Sequence, residues 1–438
     1  MPRAITFDVI NSTLQSRQPF DAAFNQHSRV TKLEPRDRNL AYNIIITTLR
    51  HLGQIDDIIH QCLIKDLPQN GKYARTILRI GICQLLFLDI PAHAAVDTSV
   101  KLAVQQRQGI YKKLINAVLR RVAREGSELL EFQDAEKLNT PDWLWNSWIK
   151  AYGKEITRNI ARAHLKIPAL DLWAKSEPKI WAQKLGGQIL PTGGIRLSSS
   201  TNIASLDGYK DGAWWVQDAA ASLAVQLFGT NLKGKKIADI CAAPGGKTAQ
   251  LLSAGAKVIA LDRSEKRLKI LSENLKRLSF SAEIICADAG DWQPSRLLDG
   301  VLVDAPCSGT GTIRRHPDVK YLKNENIILQ THRAQLRLLK AATKMTKPDG
   351  QIVFSTCSLQ PEEGPNVIDS FLSDHPDWQR KSIQLKNIKN HTEFITDAGD
   401  LRTLPFHLGN YIKNKNLKKN CANMGGMDGF FSTCLIRK

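Results

Sequence analysis

The chain has 438 residues, which is more than one hydrophobic core usually serves, so we expect two or three domains. Hydrophobic residues make up 42% of the chain and charged residues 24%, a composition that excludes wholesale disorder. The 61 Lys and Arg residues outnumber the 42 Asp and Glu residues, and the net charge of +19 favours a polyanionic partner, because each neutralised phosphate releases a condensed counterion.

Residues 1–135 show the apolar spacing of helices throughout. Helical repeats run through 40–52, 77–88, 96–104 and 114–122, and the Asp89-Ile90-Pro91 run ends the second of them. Strand-like alternation is missing from this region. The pattern therefore predicts an all-helical bundle as the first domain.

Residues 140–212 have a different sequence pattern. The Pro141-Asp142-Trp143 run opens a Trp-rich helix, and prolines with the Gly193-Gly194 pair then punctuate short mixed elements. This pattern predicts a small α+β subdomain that links the two larger domains.

Residues 213–438 repeat an order of strand, loop and helix. A helical stretch at 268–278 lies among short apolar runs of buried-strand length, which are 237–240, 258–261, 284–286, 301–303 and 352–354. This alternation predicts a mostly parallel α/β sheet with helices on both faces, and 429–436 reads as its final strand. A late basic loop, interpreted as a solvated insertion at 410–420, carries Lys413, Lys415, Lys418 and Lys419.

The composition of the chain argues against export and against a metal site. No apolar stretch approaches the roughly 20 residues of a membrane helix, and Asp8 lies where a signal peptide would be apolar. The eight cysteines include no C-x-x-C pair and no cluster with histidine, so neither a disulfide framework nor a zinc site is expected. We expect a cytoplasmic monomer with reduced thiols and no membrane contact.

The first strand of the α/β region runs into a loop of small residues. This loop reads Cys241-Ala242-Ala243-Pro244-Gly245-Gly246-Lys247. Adjacent glycines between a strand and a helix let backbone N–H groups approach a ligand, although a tight turn alone would use the same residues. The loop is not the G-x-G-x-x-G of dinucleotide folds, which argues against a dehydrogenase.

Four successive strands finish at or near an aspartate: Asp239, Asp262, Asp288 and Asp304. In an open α/β sheet, ligands bind in the crevice beyond the carboxyl ends of the strands, so these carboxylates should gather there. A single Asp at a strand end is usually a helix cap. Four in sequence favour a nucleoside-like cofactor.

Two cysteines follow strands into polar loops. Cys307 follows the fourth strand and Cys357 the fifth, so in a parallel sheet both thiols should face the same crevice. A buried cysteine is usually a small hydrophobic residue, and that interpretation suits Cys62, Cys83, Cys286 and Cys434. It fits Cys307 and Cys357 poorly, because their loops are rich in Gly or Ser.

Three motifs carry a resemblance to a known family. They are Ala-Ala-Pro-Gly-Gly-Lys-Thr at 242–248, Asp-Ala-Pro-Cys-Ser-Gly at 304–309 and Ser-Thr-Cys-Ser at 355–358. In this order they resemble the RNA 5-methylcytosine methyltransferases of the NOL1/NOP2/Sun family, across roughly residues 140–438. The runs at 215–218 and 312–317 also match. The resemblance implies a class I, Rossmann-like methyltransferase domain and S-adenosyl-L-methionine as the cofactor.

The resemblance also implies a role for each site residue. Cys357 would be the nucleophile that adds to carbon 6 of cytosine, and Cys307 the base or release residue. Asp304, assisted by Lys247, would polarise the ring at N3. The implied cofactor contacts are Cys241, Ala242, Ala243, Pro244, Gly245, Gly246, Lys247, Asp262, Arg267, Asp288 and Asp304. DNA cytosine methyltransferases use a Pro-Cys pair like Pro306-Cys307 for attack, so the second thiol favours the RNA family.

The helical region carries a second resemblance, to NusB-type RNA-binding domains, at 37–42, 77–86 and 116–120. Within the family, such an N-terminal domain is typical of bacterial enzymes that modify 16S ribosomal RNA. Six arginines are candidate phosphate contacts, and a solvated helix surface explains each of them equally well: Arg36, Arg38, Arg75, Arg79, Arg120 and Arg121.

Two segments depart from the family pattern. Residues 172–176 replace an Arg-Val-Asn-like run, and Gly364-Pro365 follows Pro361-Glu362-Glu363 where the family favours Asn. Both departures concern substrate placement rather than the two cysteines. A transfer-RNA methyltransferase of the same family stays open as an alternative. A non-catalytic ribosome-assembly factor is disfavoured because the loop, the acids and both cysteines are intact.

Overall fold

The computed structural model describes residues 1–197, 202–229, 231–383, 391–409 and 425–438. Their contacts form two compact units. The first is Met1–Leu165 with Ile313–Asn324, and the second is Lys166–Thr312 with Glu325–Lys438. The predicted lysine-rich insertion at 410–420 lies outside the described residues.

The helices and strands follow one another along the chain in a fixed order. The helices are α1 Pro2–Ser16, α2 Phe20–Gln26, α3 Pro35–Arg50, α4 Leu52–Cys62, α5 Lys72–Leu86, α6 Ala92–Gln105, α7 Lys112–Glu131, α8 Ala135–Leu138, α9 Asp142–His164, α10 Pro178–Lys184, α11 Ala219–Gln226, α12 Gly246–Ser253, α13 Glu265–Arg277, α14 Val319–Leu322, α15 Glu325–Met345 and α16 Pro365–Asp374. The strands are β1 Leu170–Ala174, β2 Gln188–Ile189, β3 Ile195–Leu197, β4 Trp214–Val216, β5 Lys236–Ile240, β6 Lys257–Asp262, β7 Glu283–Cys286, β8 Leu298–Asp304, β9 Thr346–Thr356, β10 Trp378–Arg380, β11 Leu401–Thr403 and β12 Phe430–Arg437. Among the described residues, no helix has both the length and the apolar character to cross a membrane.

The first unit is the helical bundle that the sequence predicts. Its helices bury one apolar stripe each, as α7 does with Ile115, Val118 and Val122. Helix α5 packs closely on α7 at Gly81, where an added Cβ would lie 2.6 Å from the side chain of Leu119. Burial of these stripes against one another supplies the core of the unit.

The segment 313–324 lies between β8 and α15 in the chain but belongs to the helical unit. The buried ammonium of Lys320 donates to the backbone carbonyls of Arg50 at 3.0 Å and Asn139 at 2.8 Å. The Tyr321 hydroxyl donates to the carbonyl of Leu49 at 3.2 Å, and the Arg50 guanidinium donates to the carbonyl of Arg314 at 3.1 Å. Burial, with the nearby charge of Arg50, lowers the pKa of Lys320 to about 7.

The second unit contains a large mixed sheet with the order β10-β12-β9-β8-β5-β6-β7, and β11 also pairs with β12. Strands β5 to β9 are parallel, whereas β12 runs antiparallel between β9 and β10. The predicted fold class, a helical bundle followed by a Rossmann-like domain, is confirmed. Strands β6 and β7 lie on one side of β5, whereas β8 and β9, which follow them in the chain, lie on its other side. In open α/β sheets, ligands bind at the point where the strand order reverses in this way.

The residues at 140–212, which the sequence predicts as a linking subdomain, are divided between the two units. The Trp-rich helix α9 belongs to the helical unit, and an antiparallel sheet of order β2-β3-β1-β4 belongs to the second unit. A buried ion pair holds this small sheet, because the Arg196 guanidinium donates twice to Asp171 at 2.7 Å.

The segment 172–176, which departs from the family pattern, has a structural role here. Trp173 pairs with Trp215 in the small sheet. The Lys175 ammonium donates to the carbonyl of Leu278 at 2.8 Å and lies 4.4 Å from the ring centroid of Phe280. The lysine therefore caps the C-terminal end of α13, where Leu278 follows the last helical residue.

Candidate active site

The loop between β5 and α12 leaves the start of α12 accessible. Cys241 and Gly245 both have positive φ, of 63° and 103°, so the chain turns sharply at each. A Cβ on Gly245 would lie 3.1 Å from Leu271, whereas a Cβ on Gly246 would meet nothing within 4 Å. The first N–H groups of a helix have no partner within it, so the open space at Gly246 exposes donors that an anionic group can reach.

The carboxylate of Asp262, at the end of β6, is buried beside this loop. It accepts hydrogen bonds from the N–H groups of Ala243 at 3.4 Å and Ser264 at 3.0 Å. The Arg267 guanidinium lies 2.9 Å from the same carboxylate and also donates to the carbonyl of Ala243. The structure thus brings these two predicted cofactor residues together as an ion pair.

The remaining strand-end aspartates have different surroundings. Asp288 is exposed at its carboxylate, where hydrogen bonds from the Gly290 N–H and then from Arg337 lower its pKa. Asp239 is fully enclosed and accepts the Thr248 hydroxyl at 2.6 Å, and burial raises its pKa to about 7. Asp239 therefore binds the first turn of α12 and does not face the crevice, contrary to the expectation that all four carboxylates share it.

The carboxylates converge on the thiol of Cys241. Burial is the largest cause that raises the pKa of this thiol to about 12, and the charges of Asp304, Asp262 and Asp239 raise it further. Arg267 acts in the opposite direction but less strongly, so the carboxylates prevail at the Cys241 sulfur. Such a position favours a cationic ligand.

The thiols of Cys307 and Cys357 are in contact, with 3.4 Å between their Sγ atoms. Strands β8 and β9 are parallel neighbours in which Asp304 pairs with Ser355, so the two loops begin level with each other, as the sequence predicts. Further bonds hold the loops together: the Ala305 N–H donates to Ser355, and the Gly311 N–H donates to the carbonyl of Cys357.

The proton of the Cys307 thiol is held by its surroundings. The hydrogen bond to Cys357 is the largest cause that raises the pKa of Cys307 well above its ordinary value, followed by burial and by the charges of Cys357 and Glu363. Cys307 therefore keeps its proton, and a hydrogen bond joins the two sulfurs.

A lysine joins the cofactor loop to the Cys307 loop. The Lys247 ammonium lies 2.8 Å from the carboxylate of Asp304 and 4.9 Å from the ring centroid of Phe430. Burial lowers the pKa of Lys247, but Asp304, with smaller contributions from Cys357 and Asp239, outweighs that effect and the pKa is raised. The ammonium therefore stays charged, and it interacts electrostatically with the Cys357 sulfur.

Sequence reasoning gave no role to Glu363 or to Arg402. The fully buried carboxylate of Glu363 accepts hydrogen bonds from residues that follow each cysteine, Ser308 and Ser358. The Arg402 guanidinium donates to the carbonyl of Ser358 at 2.5 Å. The serine that follows each cysteine is the signal that could have indicated a buried acceptor such as Glu363. No comparable motif surrounds Arg402.

The six candidate RNA-binding arginines fall into two groups. Ion pairs hold three of them: Arg75 with Asp66 at 2.6 Å, Arg79 with Asp56 at 2.7 Å and Arg121 with Glu125 at 2.8 Å. The others are exposed and are Arg36, Arg38 and Arg120. Arg120 also lines a cavity of about 590 Å³ between α6 and α7.

Comparisons with known proteins agree with both units. The family described as "16S rRNA methyltransferase RsmB/F" matches residues 230–434, and the NusB family matches residues 1–124. The ribosomal RNA small subunit methyltransferase B of Photorhabdus laumondii is 34% identical over 394 residues, which cover 86% of this chain and 90% of that protein. A probable ribosomal RNA small subunit methyltransferase B of Synechocystis is 31% identical over 430 residues, with coverages of 92% and 96%.

A solved structure extends the likeness to the whole fold. The crystal structure of PH0851 matches 100% of this chain and 99% of its own, with a TM-score of 0.73 and 20% sequence identity. At this identity the likeness concerns the fold alone.

Proposed function

The chain belongs to the ribosomal RNA small subunit methyltransferase B family, and on that premise we propose that Cys357 is its nucleophile and Cys307 its release residue. The enzyme methylates carbon 5 of a cytosine in ribosomal RNA of the small subunit, with S-adenosyl-L-methionine as the methyl donor. The contact of the two thiols at 3.4 Å, beside the Lys247–Asp304 pair, is the observation that carries the assignment.

The first half of the reaction makes carbon 5 nucleophilic. The Cys357 thiolate forms a bond to carbon 6, and the electron pair of the ring double bond moves toward carbon 5 and N3. The Asp304–Lys247 pair polarises the ring at its N3 edge, where Asp304 donates a proton that the Lys247 ammonium supplies. The charge of the Lys247 ammonium acts on both groups, the Asp304 carboxyl group and the Cys357 sulfur.

The residues around the end of β5 suit the cofactor. When bound, S-adenosyl-L-methionine supplies a methyl group on a cationic sulfonium, which the negative potential at Cys241 favours. Asp262 and Asp288, with Arg267 as the partner of Asp262, would hold its nucleoside part. The open start of α12 at Gly246, within the 241–247 loop, would bind its carboxylate.

The second half of the reaction removes the carbon-5 proton, after which the bond between Cys357 and carbon 6 breaks. Once the Cys357 sulfur is bonded to carbon, it carries no charge and no thiol proton, and it accepts hydrogen bonds only weakly. The largest cause of the raised pKa of Cys307 is then gone, so Cys307 ionises more easily at the stage where a base is needed.

The helical unit provides the surface for RNA. We propose that its exposed arginines, Arg36, Arg38 and Arg120, bind phosphates, because carboxylates already neutralise Arg75, Arg79 and Arg121. We further propose that 16S ribosomal RNA is the substrate, and that the enzyme acts as a monomer in the cytoplasm, where ribosomal RNA is available.

The test uses purified enzyme, the cofactor and RNA from cells that lack the gene. Bisulfite sequencing of ribosomal and transfer RNA after the reaction should reveal a protected cytosine in 16S ribosomal RNA. Protection confined to transfer RNA would overturn the substrate, and no protection in either RNA would overturn the activity.

A further inference from the structure

The carboxylate of Glu363 lies in the short helical turn Pro361–Glu363, directly after the Cys357 loop. One of its oxygens accepts the Ser308 N–H at 2.7 Å and the Thr331 hydroxyl. The other accepts the hydroxyls of Ser308 and Ser358, each at 2.5 Å. A buried carboxylate is costly unless it is hydrogen-bonded on all sides, and these four donors satisfy that need.

Each of the two serines directly follows one of the cysteines. Ser308 comes after Cys307 on the β8 loop, and Ser358 comes after Cys357 on the β9 loop. The same carboxylate therefore binds both loops within one residue of each sulfur. Thr331 adds a third attachment, to helix α15, so the carboxylate is fixed to a rigid element as well as to the loops.

We propose that Glu363 is a positioning residue that sets the distance between the two thiols by binding both loops, and that it thereby governs the release of the product. The role in release rests on the function proposed above for Cys307 and Cys357. The role in distance does not, because it depends only on the bonds of Glu363. Glu363 touches neither sulfur in these bonds and acts through the two serines.

The charge of Glu363 supports a link to the release step. It is one of the causes that raise the pKa of Cys307, after the hydrogen bond to Cys357, burial and the charge of Cys357. When the adduct forms, the contributions of Cys357 disappear, whereas that of Glu363 remains. Glu363 thus affects how readily Cys307 ionises in the second half of the reaction.

Two variants separate the bonds from the charge. Glu363→Gln keeps a carbonyl oxygen for the Ser308 N–H and Thr331, and its amide can donate to the two serine hydroxyls, which also accept. This variant removes the charge and retains the connections. Glu363→Ala removes both, and Ser358→Ala removes one of the four bonds to Glu363 together with the bond that Ser358 accepts from the Gln360 N–H. Glu362→Gln, the same change one residue earlier, is the matched control.

The distance is measured without any methyl transfer. The full-length protein is treated with an azodicarboxylate oxidant, which takes two electrons and two protons from a pair of thiols and becomes a hydrazine while one S–S bond forms. Mass spectrometry of peptides then follows the Cys307–Cys357 bond over time. We expect rapid formation in the wild type, Glu362→Gln and Glu363→Gln, and formation slowed at least about 10-fold in Glu363→Ala because a loop freed from its hydrogen bonds samples other positions.

A wild-type rate in Glu363→Ala would overturn the positioning role. If that variant does not fold, Ser358→Ala takes its place, with an intermediate slowing expected and a wild-type rate counting against the proposal. Because this readout needs no RNA, it remains valid even if the catalytic roles of the cysteines are wrong.

The release step is tested by its dependence on pH. Removing the charge of Glu363 lowers the pKa of Cys307, so the midpoint of release in Glu363→Gln should move to lower pH while the rate of adduct formation stays unchanged. A purely structural role would reduce the rate without moving the midpoint. An unmoved midpoint would therefore overturn the link to release, and a wild-type enzyme that forms no adduct would overturn the catalytic roles instead.

Discussion

The ammonium of Lys247 lies 2.8 Å from the carboxylate of Asp304, so one ion pair joins the cofactor loop to the loop that carries Cys307. The lysine side chain is 9% exposed and the aspartate 32% exposed. Because little water reaches the lysine, its charge acts strongly on its neighbours. The pair therefore holds a buried positive charge beside the loop that carries Cys307.

Replacing Lys247 by Met should lower the rate of methyl transfer by about 10²- to 10³-fold, the loss typical for removal of a preorganised charge. The variant leaves Asp304 without its cation and removes the charge near Cys357. Single-turnover assays with 16S ribosomal RNA measure the rate. Lys236→Met, at an exposed position of β5, is the control and should match the wild type. A Lys247→Met rate within threefold of the wild type would contradict the assignment.

The two cysteines should fail in opposite ways when each is changed to alanine. Cys357→Ala loses the sulfur that adds to carbon 6 and should form no adduct and no product. Cys307→Ala can still form the adduct but cannot complete its release, so it should stay covalently bound to RNA. Denaturing gels of each variant with RNA and cofactor distinguish the two outcomes. An adduct from Cys357→Ala and none from Cys307→Ala would reverse the roles.

Asp239 should make the second unit less stable as the pH rises. Its pKa is about 7 in the folded chain, against an ordinary value of 3.8, so the folded state binds more protons than the unfolded state between these limits. Stability is then lost as the pH rises from 4 to 7, by up to about 4 kcal/mol. Asp239→Asn, which still accepts the Thr248 hydroxyl, should remove this loss.

Urea unfolding of the wild type and of Asp239→Asn at pH 5 and pH 8 measures the effect. The difference between the two proteins should be larger at pH 8, with the variant the more stable there. An equal difference at both values would mean that Asp239 is ionised in the folded chain throughout this range.

The exposed and the ion-paired arginines should respond differently to substitution. Arg36→Ala, Arg38→Ala and Arg120→Ala should each weaken RNA binding and reduce the slope of log affinity against log salt by about 1. Arg79→Ala should instead lower the stability of the helical unit, because it removes the partner of Asp56. Filter binding over a range of KCl concentrations and thermal unfolding separate these effects. A salt slope changed only by Arg79→Ala would contradict the proposed surface.

The meeting of the two thiols was predictable from the sequence because it depends on strand order alone. Short apolar runs predict parallel strands, and the carboxyl ends of parallel neighbours lie at one edge. Cys307 and Cys357 follow two such ends, and their sulfurs are in contact. The position of the glycine loop before α12 was predictable because this loop also follows the carboxyl end of a parallel strand.

The bonds made by individual side chains were not predictable in this way. Asp239 and Asp262 both lie at strand ends, yet one is enclosed against Thr248 and the other is paired with Arg267. Which way each carboxylate points depends on the packing of α12 and α13, which no local pattern records. The bonds of Glu363 likewise join residues that are up to 55 positions apart in the chain.

The place of 313–324 in the helical unit matters for the order in which the chain is made. The carbonyls of Leu49, Arg50 and Asn139 leave the ribosome early, but the side chains that bind them, Lys320 and Tyr321, follow only after β5 to β8 have been synthesised. The helical unit therefore cannot be completed during translation until most of the Rossmann-like unit has emerged. A chimera that exchanges residues 1–165 for those of a relative should therefore exchange 313–324 with them, because both belong to the same unit.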